Sequence, residues 1–373
     1  MKILFLVNEA RFFLSHRLPL GLAALERGYE VVVVSAPDTG EEALTEHGFR
    51  HVSVPLSRSG FVLRQEIAAY RAIKRVFREE QADLVHHVTI KPVIYGSFAA
   101  RAVGVRAVVN AVPGMGFVFT RRGVRGVLLQ ACVNQLYRMA FALKRMRVIV
   151  QNAEDLHAFI DRGILRREQT VLIRGSGVDL NRFTPTEEAD GPVTFVLVAR
   201  MLRDKGVVEF AQAAQVAKRS HADWRFQLAG DVDPGNPSSL SVEQLRELES
   251  QYGVEWLGHC SDVAELLAQC HVLCLPTYRE GLPKTLLEAS AAGRTMIASD
   301  IAGCREVVAD GVTGLLVPPR EVEPLAEAML RVGEDAGLRK RFGQAARVKA
   351  EAVFGIDDVV DHTFRVYDEL LRA

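Results

Sequence analysis

Short apolar runs alternate with amphipathic stretches along the whole chain. The run KILFLVN is followed by PLGLAALERG, which has helical spacing of its apolar residues, and then by EVVVVSA. Strands and crossover helices alternate in this way in a parallel sheet that is covered by helices. Further strands are predicted at ADLVHHV, AVVNAV, RVIVQN and TVLIRGSGV. The pattern therefore predicts an α/β domain with a doubly wound parallel sheet.

The pattern breaks at NRFTPTEEADGP (181–192), which contains two prolines, a glycine and three acids. Because prolines and glycines end regular elements, this segment is predicted to be an interdomain linker. A second series follows, with strands at VTFVLVAR, WRFQLAG, VEWLG, HVLCLP, RTMIASD and GLLVPP. We expect two Rossmann-like domains, at 1–180 and 193–356, facing an interdomain cleft. A C-terminal helix at about 357–373 is expected to pack back on the first domain.

The composition is that of a globular protein, but the charge is unevenly distributed. Of the 373 residues, 49% are hydrophobic and 25% are charged, and the formal net charge is zero. Residues 1–177 contain 25 lysines and arginines against 15 acids, and the rest contains 21 against 31. Between Leu84 and Ala153 there are ten basic residues and no acid. Such a patch attracts nucleic acid, anionic lipid or a phosphorylated ligand, unless it is only a solvated basic face.

The sequence also predicts the cellular compartment of the protein. The apolar part of MKILFLVNEA is short and charge returns at Glu9, which predicts a first strand rather than a signal peptide. No run approaches the roughly 20 apolar residues that span a bilayer. The five cysteines form no CxxC pair, which favours free thiols in a reducing cytoplasm. A zinc site from Cys260, Cys270, His271 and Cys274 would have a spacing that fits no standard pattern.

The first predicted strand is followed by NEARFFLSHRLP rather than by a nucleotide-binding glycine loop. No GxGxxG is present and no glycine precedes Gly21, which counts against a dehydrogenase. Ser15, His16 and Arg17 stand instead just before Pro19, at the predicted start of a helix. Cations and free N–H groups at a helix start suit a phosphate, so His16 and Arg17 are candidates for binding a phosphorylated ligand. The alternative is that both side chains only cap and solvate the loop.

The stretch TYREGLPKTLLEASAAG follows the apolar strand HVLCLP and runs into a predicted helix, and it carries two acids, Glu280 and Glu288. If the helix begins near Pro283, Glu288 lies about 7 Å along it and Glu280 lies ahead of its N-terminus. The free amides between the two acids suit a pyrophosphate, and the acids suit hydroxyl groups on either side of it. A nucleoside diphosphate sugar has this layout, with Glu288 at the ribose and Glu280 at the sugar.

Two cations, Arg200 and Lys205, follow the first strand of the second domain in ARMLRDKG. At this strand end they can converge on one diphosphate and neutralise it as its bond to the sugar breaks. Either segment alone is also typical of a surface loop. Because both lie at strand ends of the same domain, together they predict a donor site.

On these residues the chain resembles the glycosyltransferases of family 4 over nearly its whole length. The most specific element is the E-x7-E pattern from Glu280 to Glu288, and the others are ARMLRDKGV, GVDLNRF, WLGHCSDV and SDIAGCREVVADGVTGLLVPP. The first half, with FFLSHRLPLGLAALERGYEV and HHVTIKPVIYGSFAAR, resembles a bacterial branch that builds lipid-linked oligosaccharide for O-antigen, capsule or protein glycosylation. The resemblance implies the GT-B fold and a retaining hexosyl transfer from a nucleotide sugar, without metal or other cofactor.

The resemblance also implies roles for individual residues. Arg200, Lys205 and Glu280 would be catalytic, the first two at the diphosphate and Glu280 at the donor sugar, and Glu288 would hold the ribose. The remaining donor contacts would come from the helix start and from a segment that borders the base: Gly281, Leu282, Pro283, Lys284, Thr285, Gly258, His259 and Cys260. A front-side transfer is expected, in which the departing phosphate oxygen takes the acceptor's proton and the protein supplies positioning and electrostatics.

One position departs from the family pattern. Many relatives carry a histidine before a glycine in the loop after the fifth strand, where this chain has Pro113 in AVPGMGFVF. His86, His87 and Lys91 lie at a neighbouring strand end and are candidates to face the cleft in its place. The alternative is that these three side chains are packed or solvated and touch no ligand.

Asp231-Val232-Asp233 is a DxD motif, which holds a divalent ion in the other large glycosyltransferase fold. Here the motif falls in a loop rich in proline and glycine, and Arg200 and Lys205 already neutralise the diphosphate. We therefore expect no metal at this site.

The acid-free segment indicates an acceptor at a membrane. Phe117, Val118 and Phe119 precede the basic candidates Arg121, Arg122 and Arg125, and an apolar stripe follows at Leu128, Leu129, Val133, Leu136 and Tyr137. A basic, apolar surface helix is typical of anchors on anionic membranes. The stripe is expected to pack inward, because a crossover helix buries one face, and the cations and phenylalanines then meet lipid. We expect a polyprenyl-diphosphate-linked sugar as acceptor and a peripheral location at the inner face of the cell membrane. The residues expected to bind this acceptor are His16, Arg17, Arg121, Arg122 and Arg125.

Three other functions fit parts of the pattern. A nucleotide-sugar epimerase has the same two-domain shape but does not need the basic, apolar first domain. A two-lobed ligand-binding protein would need an export signal and does not explain Arg200, Lys205 and the acid pair. A nucleic-acid binder could use the basic patch, but no array of aromatic stacking residues accompanies it. The transferase is favoured, with UDP as the nucleotide by resemblance.

Overall fold

The structure, a computed structural model, describes residues 1–57, 62–114 and 123–372. The chain divides into two compact units, one of Met1–Ser176 with Asp357–Ala373 and the other of Gly177–Ile356. Each unit is built on one parallel sheet with helices on both faces. The expectation of two doubly wound α/β domains is therefore confirmed.

The first unit has a seven-stranded sheet. Its strands are β1 (Lys2–Glu9), β2 (Glu30–Ala36), β3 (Arg50–Ser53), β4 (Leu84–Val88), β5 (Ala107–Val112), β6 (Met146–Val150) and β7 (Thr170–Leu172). Its helices before the second unit are α1 (Ala10–His16), α2 (Leu18–Glu26), α3 (Glu41–Glu46), α4 (Leu63–Glu80), α5 (Ile90–Val103), α6 (Val124–Ala140) and α7 (Ala153–Asp161). The strand order is β3-β2-β1-β4-β5-β6-β7 with parallel pairing throughout, so the order reverses between β1 and β4.

Alternation along β1 explains how this sheet is covered on both faces. Leu4 and Leu6 pack into the core on one side, whereas Ile3 and Phe5 pack into the core on the other. Strands that are buried on both faces are continuous apolar runs, which is why KILFLVN shows no polar alternation.

The second unit has a six-stranded sheet. Its strands are β8 (Thr194–Val198), β9 (Arg225–Ala229), β10 (Glu255–Gly258), β11 (Val272–Leu275), β12 (Thr295–Ser299) and β13 (Gly314–Val317). Its helices are α8 (Val207–Lys218), α9 (Val242–Tyr252), α10 (Val263–Gln269), α11 (Lys284–Ala291), α12 (Ala302–Val307), α13 (Val322–Glu334) and α14 (Ala336–Val353). All pairs are parallel in the order β10-β9-β8-β11-β12-β13, so the order reverses between β8 and β11.

The last helix, α15 (Ile356–Arg372), belongs to the first unit from Asp357 onward. Its apolar face, with Phe364 and Tyr367, joins the core on the Phe5 side of β1. At the surface, Asp361 accepts a hydrogen bond from an Arg27 amino group at 2.7 Å.

The segment 181–192 lies within the second unit rather than between the two units. Arg294 donates to the Thr186 carbonyl oxygen at 3.1 Å, and Arg339 donates to both carboxylate oxygens of Glu188 at 2.9 and 2.8 Å. These buried cations hold the proline-rich segment against the second unit, which composition alone did not indicate.

Candidate functional site

The strand order of the second sheet reverses between β8 and β11, and doubly wound sheets bind ligands beyond the strand ends at such a point. Hydrogen bonds join the two loops that begin there. The Tyr278 amide and the Thr277 hydroxyl both donate to the Asp204 carbonyl oxygen, at 2.9 and 3.0 Å. Gly206 has φ +73, and a Cβ there would lie 2.1 Å from the Pro276 carbonyl oxygen. The close packing of the two loops therefore requires glycine at this position.

These loops bring Lys205 and Glu280 into contact. Lys205 ends a 3₁₀ turn (Arg203–Lys205), and its ammonium group donates to Glu280 Oε1. Both side chains are partly exposed, so the pair is desolvated on one side and open to solvent on the other. An anion that takes over the ammonium group would free the carboxylate to accept a hydrogen bond from a hydroxyl group.

Arg200 is held by the second acid of the DxD motif. Its Nη1 donates to Asp233 Oδ2 at 2.5 Å, and the arginine is half-exposed whereas the aspartate is nearly buried. The loop that carries Asp233 is tied to the loop after β8, because the Met201 amide donates to the Asp231 carbonyl oxygen at 2.9 Å. Asp233 therefore fixes one edge of the guanidinium and leaves the rest directed to solvent.

The helix α11 begins just after Glu280, with Pro283 at its N-cap. Among the described residues no side chain caps this end, and the first N–H groups of a helix have no acceptor within it. Glu288, one turn into α11, is 5% exposed and lies 3.2 Å from the ammonium group of Lys284. Burial raises the pKa of Glu288, and the charge of Lys284 opposes the rise. The helix start therefore combines open amides with a buried acid, a pairing that suits a phosphate next to a ribose.

The predicted base-bordering segment follows β10. Gly258 has φ +70, and His259 Nδ1 lies 3.5 Å from a carboxylate oxygen of Asp231. Burial raises the pKa of the Cys260 thiol, and the charges of Asp262, Glu265 and Glu288 add to the rise. Cys260 is partly buried against the core cluster that also contains Leu286 and Leu287 of α11. The segment therefore packs against the same cluster as the helix that carries Glu288.

No three potential metal ligands gather within the described ranges. Three of the four zinc candidates are accounted for by hydrogen bonding or by packing in the core. His271 Nδ1 accepts from the Thr194 amide at 3.1 Å, and Cys270 and Cys274 are buried among apolar residues. Burial raises the pKa of the Cys270 thiol to about 12, which disfavours a metal-binding thiolate.

In the first unit the structure corrects the expectation that His86 and His87 face an open strand end. Both lie inside β4 and are only 1% and 0% exposed. His86 Nδ1 lies 2.5 Å from the Tyr367 hydroxyl, and His87 Nδ1 lies 2.8 Å from Asn110 Oδ1. Burial lowers the pKa of His87 to about 4 and lowers that of His86 well below its ordinary value. Both rings are therefore neutral core groups at physiological pH.

Lys91, the third candidate near this strand end, is occupied by an ion pair. It lies in the first turn of α5, and its ammonium group donates to Glu66 Oε1 at 2.6 Å. The Tyr95 hydroxyl donates to the other Glu66 oxygen at 2.7 Å. Because Glu66 is buried, Lys91 neutralises an interior charge rather than presenting a free cation.

The candidates for binding the acceptor are only partly described. The segment after β1 forms α1 rather than a loop. His16 stacks on Phe12 with 4.4 Å between ring centroids, and its Nδ1 lies 2.6 Å from the Ser15 hydroxyl. Arg17 joins α1 to α2 and is buried. The remaining candidates fall outside the residues whose side chains are described: Arg121, Arg122 and Arg125, with Phe117, Val118 and Phe119 before them.

The helix α6 buries only part of the predicted apolar stripe. Val133 and Tyr137, four positions apart, pack inward. Residues four apart share one face, and Leu129 continues this face but is exposed at the start of the helix. Leu128 and Leu136 are also exposed. The exposed apolar side chains of α6 are Val127, Leu128, Leu129, Leu136 and Met139. The expectation that the whole stripe packs inward is therefore wrong.

Comparison with known proteins adds to this geometry. Residues 181–349 match the family model "Glycosyl transferases group 1", and residues 2–152 match the model "Glycosyl transferase 4-like". The chain belongs to glycosyltransferase family 4. This family 4 protein is a glycosyltransferase of the hexosyltransferase type, as its relatives are.

Two relatives carry informative names. The family 4 chain is 26% identical to N,N'-diacetylbacillosaminyl-diphospho-undecaprenol alpha-1,3-N-acetylgalactosaminyltransferase of Campylobacter jejuni, with 100% of each chain covered. It is 27% identical to UDP-Gal:alpha-D-GlcNAc-diphosphoundecaprenol alpha-1,3-galactosyltransferase of Escherichia coli, with 76% of this chain and 75% of the relative covered.

Solved structures establish the GT-B fold of this transferase. Anabaena HepE, solved in complex with UDP, aligns with a TM-score of 0.79 at 20% identity, over 99% of this chain and 100% of HepE. Sucrose-phosphate synthase of Thermosynechococcus elongatus aligns with a TM-score of 0.81 at 19% identity, over 100% of each chain. Among the helices of the described ranges, none has both the length and the apolarity of a membrane span.

The sequence did not indicate how the loops after β8 and β11 are supported. Asp233 was a candidate only for a metal, whereas the structure pairs it with Arg200. The sequence also did not indicate Glu209, which accepts a hydrogen bond from the Tyr278 hydroxyl at 2.5 Å. The available signal was the position of the DxD motif after a neighbouring strand of the same sheet, since parallel strands end at the same edge.

Proposed function

We propose that this protein is a retaining, metal-independent glycosyltransferase that moves a sugar from a UDP-sugar to a polyprenyl-diphosphate-linked sugar. The observation that carries the proposal is the contact between Lys205 and Glu280 just before the open start of α11. A cation, an acid and free amides at a sheet switch point together match the charge pattern of a nucleoside diphosphate sugar.

The donor diphosphate would lie on Lys205, on the exposed edge of Arg200 and on the first amides of α11. Glu288 would accept hydrogen bonds from the ribose, because it is buried one turn behind those amides. Lys205 would exchange Glu280 for the diphosphate, and the released carboxylate would then bind hydroxyl groups of the donor sugar. The Escherichia coli relative is named for UDP-Gal and HepE was solved in complex with UDP, which supports this choice of nucleotide.

The transfer would proceed on one face of the donor sugar. As the bond from the anomeric carbon to the diphosphate breaks, charge grows on the leaving oxygen, and Arg200 and Lys205 would stabilise it. The leaving oxygen would take the proton of the acceptor hydroxyl, whose oxygen forms the new glycosidic bond on the same face. The protein would contribute positioning and electrostatics, so no carboxylate needs to attack the sugar.

The acceptor would be a lipid-linked sugar, since the named relatives act on diphospho-undecaprenol-linked sugars. The exposed apolar side chains of α6 support contact with the membrane surface in which such a lipid is anchored. The chain segment around α6 is also free of acids, which favours anionic lipid.

Binding of nucleotides tests the donor half of the proposal. Thermal shifts would be measured with UDP, GDP, ADP, dTDP and CMP, each with magnesium and with EDTA. We expect stabilisation by UDP that EDTA does not change and that Glu288→Ala removes. Equal shifts from all nucleotides, or dependence on magnesium, would contradict the proposed donor and the metal-independent site.

Transfer and membrane binding test the other half. Incubation with UDP-sugars and a prenyl-diphosphate-linked sugar should give a product whose new linkage keeps the anomeric configuration of the donor, as read by NMR. Flotation with vesicles that contain anionic lipid should recover the protein, and the double variant Leu128→Ser/Met139→Ser should reduce the recovery. A product of inverted configuration, or equal flotation of both proteins, would refute the corresponding part.

A further inference from the structure

Three arginines in the described part of the chain are almost completely buried, and two of them have many partners. Arg17, Arg294 and Arg339 are 6%, 3% and 6% exposed. Arg294 donates to the carbonyl oxygens of Leu267, Ala268 and Thr186, among others. Arg339 donates to the carboxylate of Glu188 and to the carbonyl oxygens of Val332 and Gly333. These two follow the rule that a buried charge is paired and hydrogen-bonded.

Arg17 breaks this rule. Its Nε is fully buried and has no acceptor, and neither Nη group donates a hydrogen bond to any described residue. It forms no ion pair with a carboxylate of the described ranges. Because the unpaired Nη groups are not among the fully buried atoms, the remaining exposure of the residue lies at that end. Burial lowers the pKa of the guanidinium, as expected of a cation that has lost water and gained no anion.

The groups near Arg17 do not supply the missing negative charge. The Tyr367 hydroxyl opposes the fall in the pKa of Arg17, and the charge of Arg17 in turn lowers the pKa of His86. The Tyr367 hydroxyl lies 2.5 Å from His86 Nδ1. If the Tyr367 hydroxyl donates to His86 Nδ1, the proton of the neutral ring is on Nε2. That nitrogen is also buried without a partner. Within the part of the chain that the structure describes, the cluster therefore has two buried donors and no anion.

Arg17 belongs to the part of the first unit where ligands are expected. The first sheet reverses its strand order between β1 and β4; α1 follows β1 directly and His86 lies in β4. Thr89, just after β4, has φ +78 and a buried hydroxyl without a partner, and Asn8, near the end of β1, has a buried unpaired Oδ1. Strain and unsatisfied polar groups concentrate at ligand sites, because the ligand completes them.

We propose that Arg17 forms a phosphate subsite in the first unit, which binds a phosphate group of a sugar diphosphate. The inference rests on the proposed function, in which both substrates carry a diphosphate. The planar fork of a guanidinium matches two phosphate oxygens, and a desolvated fork binds them more strongly than an exposed one. The acceptor oxygens of Asn8 and Thr89 suit hydroxyl groups of the attached sugar.

Inorganic pyrophosphate provides the first test, in a background that lacks the donor cations. In the full-length variant Arg200→Ala/Lys205→Ala, saturating pyrophosphate should raise Tm by at least about 2 °C. Adding Arg17→Met should abolish that shift. The control is Arg27→Met, which removes a half-exposed arginine of the same unit that is paired with Asp361 and should leave the shift unchanged.

The stability of the unliganded protein separates a ligand subsite from a structural role. Removing an unpaired buried charge should leave Tm unchanged or raise it, whereas removing a structural arginine should lower it. If Arg17→Met does not fold, Arg17→Lys keeps the charge without the fork and should weaken the pyrophosphate shift while the protein stays folded. A shift that survives both variants, or a fall in Tm with no change in pyrophosphate binding, would overturn the proposal.

Kinetics then identify the source of the phosphate. If the acceptor supplies it, Arg17→Lys should raise the KM for a prenyl-diphosphate-linked sugar at least tenfold and leave the Kd of UDP unchanged. If the donor supplies it, the Kd of UDP should rise instead. If Arg17→Lys changes neither the KM of the lipid-linked sugar nor the Kd of UDP, the subsite is refuted. The proposed function would still stand in that case, provided that the wild type binds UDP and transfers the sugar.

Discussion

Replacement of Glu288 should separate donor affinity from protein stability. Glu288 is buried in α11, and Lys284 is its one ion-pair partner within the described ranges. A hydrogen bond to a charged group contributes about 1.5–3 kcal/mol, so loss of the two hydrogen bonds to a ribose diol in Glu288→Ala should cost about 3–6 kcal/mol of UDP binding. This corresponds to an affinity about 150- to 25,000-fold weaker. Lys284 is partly exposed, so water can replace its lost partner at little cost.

Unlike UDP affinity, the stability of the unliganded protein should not decrease when the charge of Glu288 is removed. Burial raises the pKa of Glu288 above its ordinary value of 4.5, so the folded state binds the proton more tightly than the unfolded state. The stability that this carboxyl contributes is therefore complete below pH 4.5 and is lost as the pH rises through the folded pKa. At neutral pH, Glu288→Gln keeps the volume and removes the buried charge, so its Tm should not fall.

Calorimetric titration of UDP and of 2'-deoxy-UDP provides the assay. The wild type should bind 2'-deoxy-UDP more weakly than UDP, and Glu288→Ala should bind both with the same low affinity. The exposed Glu323→Ala in the same unit serves as the control and should behave as wild type. If Glu288→Ala still discriminates between the two nucleotides, the carboxylate does not contact the ribose and the orientation of the proposed donor is incorrect.

Three further changes test the remaining parts of the site. Lys205→Ala should lower kcat about 100-fold and change the Kd of UDP much less, because charge on the leaving group grows in the transition state; equal effects on both would contradict this. Asp233→Asn should lower kcat about tenfold, because Arg200 loses the carboxylate that positions it, whereas the control Asp231→Asn should leave kcat unchanged. If Asp233→Asn instead binds UDP more tightly, Asp233 competes with the diphosphate for Arg200. Gly303→Ala should reduce Tm and activity, since its Cβ would lie 2.5 Å from two carbonyl oxygens of the loop after β11; an unchanged Tm would show that the loop adjusts.

Local patterns determined the architecture and the donor-site candidates. The alternation of apolar strands and amphipathic helices predicted both parallel sheets, because burial on two faces imposes continuous apolar runs. The spacing from Glu280 to Glu288 placed the acids on either side of a helix start, since a helix rises by a constant distance per residue. These signals lie within a few residues of one another, so they can be read without knowing the fold.

Tertiary structure alone decided which polar residues are available. His86 and His87 look like site residues in the sequence, but both are in the core because β4 is covered on both faces. Lys205 and Glu280 are distant in sequence, and they meet because their strands are neighbours in the sheet. Arg17 looked like an exposed cation at a helix start, yet it is buried and has no acceptor among the residues that the structure describes. Burial and pairing depend on the residues that pack from other elements, and no local pattern contains that information.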